Sequence, residues 1–289
     1  MGHMAAGTLL TVAPTGAETA KSDAPALPVT VDELVATAKA CQAAGAAVIH
    51  VHLRDDDARP TLDLGRAREA VAAIRETTDL VVQISSGGAV TDSEDDRAAV
   101  LQCDPDAASL TCGTVNFGTD VFMNRWEFIE RLYLEMRDRQ IVPEFELFDL
   151  GHVTTMRRLL DKHGAPYGGH VHCDLVMGVP GGMPGTAAAL VACVAALPPE
   201  ATFSATGVGR TTVPVMLAAL AAGGHLRVGM EDTLTYAPGR PVRDNAELVE
   251  RAAELARLAL RPPISPEEAR VMLGVRQDRR TPEQTGAQA

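Results

Sequence analysis

Eight short apolar runs, each followed by a stretch with helical spacing, constrain this chain more than any other feature. Residues 8–13 (TLLTVA), 46–52 (AAVIHVH), 80–85 (LVVQIS), 107–111, 142–148 (VPEFELF), 172–177, 202–205 and 226–230 read as strands. Residues 31–44, 64–76, 93–102, 126–139, 152–162, 186–197, 213–222 and 246–260 carry helical periodicity between and after them. Strands separated by helical segments of about 10–15 residues pair in parallel through βαβ crossovers. Eight such units close into an α/β fold, the (β/α)8 TIM barrel, which typically needs about 250 residues. Residues 5–275 are therefore expected to form a single catalytic barrel domain. The first strand lacks the GxGxxG turn that would favour an open dinucleotide-binding sheet. Beyond a short helix over 266–273, residues 276–289 read as a disordered polar tail, and residues 1–4 as an expression remnant, which removes His3 from any site.

Charge and composition exclude several function classes. The 26 Lys and Arg face 38 Asp and Glu, for a net charge of −12 without a basic stripe, so nucleic acid is not an expected partner. No apolar run approaches the roughly 20 residues of a membrane span, and no basic-then-apolar leader is seen at the start. The five cysteines include no CxxC pair, so they are expected as small buried hydrophobes in a reducing, cytoplasmic setting.

In a barrel of this kind ligands collect at the C-terminal strand ends. His50 and His52 end the second strand at i and i+2, so both imidazoles point to one face. Glu231 sits at the end of the last strand and completes a two-histidine, one-carboxylate set with an open position, as in catalytic zinc sites. A second HxH, His170 and His172, begins its strand, and with His225 is expected to be structural at the closed end; His152 and His163 flank a helix and are expected in solvent. Ser85, Ser86 and Gly87 offer hydroxyl and backbone donors to an anion. Ser109 and Thr111 share a face, as do Glu144 and Glu146, whose burial is costly unless paired or used. Glu18 lies on the rim, and Arg227 stands within an apolar run, able to pair with Asp232 or with the interior acids. The glycine-rich loops 178–185 and 207–210 follow strands six and seven, where barrels often bind phosphate.

Several stretches in order, TVAPTGAET (11–19), VIHVHLR (48–54), QISSGGAV (83–90), GVPGGM (178–183) and GMED (229–232), resemble the β-keto acid cleavage enzymes. The resemblance implies a zinc-bearing barrel, with acetyl-CoA as co-substrate, that converts a β-keto acid into acetoacetate and a new acyl-CoA. It implies His50, His52 and Glu231 as zinc ligands, although another divalent cation would serve the same chemistry. Ser85 and Ser109 fall where the family holds the substrate carboxylate, with Ser86, Gly87 and Thr111 beside them. Arg227 and Asp232 match the proton-abstracting pair, and Glu18 and Glu146 match acidic pocket positions that favour a polar or cationic substrate side chain. A homo-oligomer, commonly a tetramer, is also implied. Ser86, Thr111, Thr211-Thr212 and Thr233 depart from the residues of the founding enzyme, which bears on substrate identity. The alternatives are a metal-dependent aldolase, an amidohydrolase-like barrel, and a non-catalytic acyl-CoA-binding barrel.

Overall fold

Eight parallel strands close into a barrel in the computed structural model, which describes residues 7–277. They are β1 (Leu10–Val12), β2 (Val48–Val51), β3 (Val81–Ile84), β4 (Ala107–Thr111), β5 (Val142–Leu147), β6 (His172–Met177), β7 (Thr202–Gly207) and β8 (His225–Val228). Each strand pairs with the next, and β1 with β8 closes the ring. Helices α1 (Val31–Ala44), α2 (Leu64–Thr77), α3 (Glu94–Ala99), α4 (Trp126–Asp138), α5 (Leu150–His163), α6 (Ala187–Ala196), α7 (Thr212–Ala221) and α8 (Asn245–Leu258) supply the crossovers and the outer layer. The expected remnant 1–4 and the tail from 278 onward lie outside the described residues.

Local signals set these boundaries. Thr30 and Glu33 form a capping box at the start of α1, and Gly45, at φ 115°, ends it in the left-handed region. A final helix, α9 (Pro266–Leu273), begins with a second capping box, Ser265 with Glu268, and carries proline in its first turn.

The period of two along each strand divides the barrel into two environments. Outward-facing residues such as Val12, Ile49, Val82, Leu110, Phe145 and Leu226 pack beneath the helices in one large apolar core, where each such side chain contributes about 1.5–3 kcal/mol on burial. Inward-facing Leu9, Val48, Val81, Ala107 and Val142 instead form an apolar floor with Ala269, Leu273 and Val275 at the closed end. Two residues further along the same faces come Thr11, His50, Gln83, Ser109 and Glu144, all buried. The polar interior thus starts one layer above the floor and rises to the mouth.

Several expectations are refined. The seventh strand extends through Gly207, two residues beyond the apolar run. The helix expected over 93–102 splits into α3 and a 3-10 turn, Val100–Cys103. Three two-stranded hairpins decorate the mouth: Leu53–Arg54 with Pro60–Thr61, Val115–Phe117 with Asp120–Phe122, and Thr235–Ala237 with Arg240–Pro241. All five cysteines are buried free thiols. Among the described residues, no helix is long and apolar enough to cross a membrane.

A buried ion pair fastens α9 beneath the barrel. Arg270 Nη2 donates to Asp106 Oδ2 at 3.2 Å and to the Leu80 carbonyl at 2.9 Å, and Asp106 also accepts from the Val82 N–H. Both side chains are buried, so removing the acid alone strands a guanidinium in the interior. Asp106→Ala is expected to destabilise the fold by about 3–5 kcal/mol, measured as a lowered urea midpoint; a change under about 1 kcal/mol would show that the ion pair does not fasten α9.

Candidate active site at the open end of the barrel

The strand ends surround a cavity of about 220 Å³. Glu18, His50, His52, Ser85, Gly87, Glu146, Arg227, Glu231 and Asp232 line it together. His50 and His52 project from the end of β2 with ring centroids 5.2 Å apart. Glu231 reaches them from the turn after β8. His50 Nε2 lies 4.0 Å from Glu231 Oε1, and His52 Nε2 lies 3.7 Å from Oε2. That approach depends on Gly229, where a Cβ would come within 1.8 Å of the Ala13 carbonyl oxygen; glycine lets the end of β8 close against β1.

These three side chains fit a divalent cation by their chemistry. Their ligand atoms all lie within 4.8 Å of one another. Burial, reinforced by the neighbouring Arg227, pushes His50 down to about 3 and also lowers His52, so both imidazoles are neutral and present lone pairs. Burial works against ionisation of Glu231, but the Arg227 guanidinium prevails and holds it below the usual carboxylate range. Glu231 Oε2 is buried and has no hydrogen-bond partner among the described residues, as expected of an atom whose partner is an ion.

Behind His50 stands a support that the sequence pattern did not reveal. Gln83 Nε2 donates to Glu144 Oε2 at 3.0 Å, so its Oε1 faces His50 Nδ1 at 2.5 Å. His50 Nδ1 is therefore the protonated nitrogen, and Nε2 is free to bind a metal. Glu144 in turn lies 3.5 Å from His172 Nε2.

Arg227 organises the acids. Its Nη1 faces Glu146 Oε1 at 3.3 Å and Asp174 Oδ2 at 3.7 Å. Its Nη2 contacts Glu231 and, at 3.2 Å, Asp232 Oδ1, while Nε donates to Asp232 Oδ2 at 3.4 Å. The pairing is bidentate toward Asp232. Burial raises Asp232 above the ordinary aspartate range despite Arg227, which leaves it a carboxylate with appreciable basicity.

Other expected residues are placed differently. Ser86, Ser109 and Thr111 are buried behind the cavity wall. Ser86 and Ser109 bond to each other, N–H to hydroxyl at 3.2 Å and hydroxyl to carbonyl at 2.5 Å, and Thr111 donates to Glu146 Oε2 at 2.7 Å. Ser85 Oγ accepts from Gly87 N–H, which leaves its own proton for an anion in the cavity. Glu18 is exposed on the rim. His152, expected in solvent, is instead buried, because its Nδ1 accepts from the Phe148 N–H at the end of β5; His163, also expected in solvent, is partly buried against Glu130. At the closed end, His225 Nδ1 accepts from Leu9 N–H, and His170 and His172 share the Thr202 hydroxyl.

The opposite wall is apolar. Phe117, Phe122 and Phe148 meet edge to face with centroids 6.2–6.4 Å apart, and Val90, Val176, Val179 and Val208 extend the surface. Buried Arg97 ties this wall to the serine loop. It donates to the carbonyls of Ser86 and Met123 and stands over the Phe122 and Phe128 rings at 4.8 and 4.6 Å.

The chain is 39% identical to the 3-keto-5-aminohexanoate cleavage enzyme of Acetoanaerobium sticklandii over 273 residues, covering 92% of this chain and 98% of that protein. It is 33% identical to the 3-oxoadipate:acetyl-CoA acetyltransferase of Cupriavidus necator, covering 92% and 94%. Among solved structures, apo ObcA superposes with a TM-score of 0.76 at 20% identity, over 87% of this chain and 66% of that one, a likeness of fold. The family model for beta-keto acid cleavage enzymes matches residues 8–275, and the chain belongs to that family.

Proposed function

We propose that the protein is a zinc-dependent enzyme that converts a β-keto acid and acetyl-CoA into acetoacetate and a new acyl-CoA. The observation that carries this is the convergence of His50, His52 and Glu231 on one point beside the Arg227–Asp232 pair. His50, His52 and Glu231 would hold the zinc. When bound, it supplies a Lewis acid for the substrate's oxygens.

The chain's own residues account for the rest. The Ser85 hydroxyl, whose oxygen already accepts from the Gly87 N–H, presents its proton to the substrate carboxylate. Asp232 accepts the proton from the carbon between ketone and carboxylate, the general-base step. Arg227 keeps its charge throughout, because the surrounding carboxylates hold it well above its ordinary range against the effect of burial; it orients Asp232 and takes no proton. The aromatic wall excludes water, which strengthens every charge interaction within the cavity. Glu146 is engaged by Arg227 and Thr111, so selection of a polar or cationic substrate side chain falls to Glu18 on the rim.

The decisive experiment is acetoacetate release over a panel of β-keto acids with acetyl-CoA. Release that depends on both substrates and on a bound metal is expected; turnover without acetyl-CoA would point to the aldolase alternative. Asp232→Asn should lower kcat by about 10²–10⁴-fold while bound zinc per chain stays unchanged, and retained turnover would remove Asp232 as the base. Gln83→Leu should weaken zinc binding by about 10–100-fold in competition with a chromophoric chelator. Unaltered affinity would mean that the His50 ring needs no support from below.

A further inference from the structure

Asp174 on β6 is fully buried, yet it does not line the cavity. A carboxylate at this depth costs several kcal/mol in effective desolvation, and an apolar side chain would fill an interior position of β6 without that cost, as Val176 does two residues further along. The carboxylate is aimed. Thr206 Oγ1, on the neighbouring strand, lies 2.9 and 2.7 Å from its two oxygens and donates to them. Thr206 pairs in register with Arg227, and Asp174 with Glu146, so the strands themselves bring acid and guanidinium together.

The Arg227 guanidinium is gripped along two edges. Toward the mouth, Asp232 and Glu231 take Nε and Nη2; toward the interior, Glu146 and Asp174 face Nη1. Glu146 is also drawn toward Thr111 through its other oxygen. Without Asp174 the inner edge would keep a single, divided partner, and the two mouth carboxylates would pull the guanidinium outward. We propose that Asp174, aimed by Thr206, is a positioning residue that fixes the inner edge of the Arg227 guanidinium and thereby the direction in which Asp232 presents its carboxylate. The consequence for turnover rests on the roles given above to Arg227 and Asp232; the effect on Arg227 itself does not.

Two variants and two readouts test this. Asp174→Asn keeps the volume and a hydrogen-bonding group for Thr206 but removes the charge; Thr206→Val keeps the charge but releases its aim. In spectra of protein labelled with 15N-arginine, the Arg227 Nη resonances, assigned by their loss in Arg227→Lys, are expected to be individually resolved in the unmodified chain. Both variants should speed rotation of that group by about tenfold, as the 3.7 Å ion pair with Nη1 is lost or displaced. In steady-state assays kcat should fall by about 10–100-fold in Asp174→Asn, with KM for the keto acid and zinc content held. Guanidinium rotation unchanged in both variants would overturn the proposal, as would a lowered melting temperature with kcat of the folded enzyme intact, the result of a merely structural pair. If no β-keto acid is turned over by the unmodified chain, the enzymatic reading fails, while the arginine resonances still decide the positioning role.

Discussion

A single guanidinium in a low-dielectric interior holds the mouth of this barrel in its working state. Arg227 meets four carboxylates within 3.7 Å, all of which would otherwise favour the neutral form in such surroundings. The same cation leads to opposite outcomes at adjacent residues. At Glu231 the guanidinium outweighs burial and the acid is held below the usual range; at Asp232 burial, with Glu231 beside it, outweighs the guanidinium and the acid is raised. Two carboxylates that are neighbours in sequence and carry the same functional group are thus set apart by environment.

That arrangement is tolerable because stability is supplied elsewhere. The outward faces of the strands and the helices form the main apolar core, and the floor formed with α9 closes the barrel from below. Between floor and mouth the interior is a connected polar column: His50 to Gln83, Gln83 to Glu144, Glu144 to His172, and His172 to the Thr202 hydroxyl. Each contact orients the one above it, so which nitrogen His50 presents to the cavity is set by residues that do not line it.

The barrel was legible because strands covered by helices read as short apolar runs at regular spacing. The HxH pair was legible because two histidines at i and i+2 need no knowledge of the rest of the fold, and Glu231 because it directly follows the last apolar run, although the strand itself stops at Val228. Gln83 and Asp174 were not. Each is one polar residue inside an apolar run, and its meaning lies in partners 61 and 32 residues away. Thr206 was hidden for a related reason: the apolar signal fades at Ala205 although the strand continues to Gly207. Once eight strands are assigned, inward positions follow by alternation, and these residues become predictable as a set. The hairpins escaped because strands of two or three residues are too short to show periodicity, and His152 because its buried partner is a backbone N–H.

The two walls of the cavity therefore have different origins. The polar wall is built on strands, where register fixes each side chain relative to its neighbours; His50 opposes Gln83, Thr111 opposes Glu146, and Thr206 opposes Arg227. The aromatic wall is built largely on loops, which have no such register. Phe117 and Phe122 come from one hairpin and Phe148 from the turn after β5. Arg97 supplies the missing constraint, since its guanidinium joins the serine loop, the segment after the hairpin and two phenylalanine faces. Charge delocalised over a planar group suits this use, because one side chain can donate in its plane and stack on its faces. Two buried arginines thus divide the task, one fixing the carboxylates on the strands and the other fixing the loops opposite them.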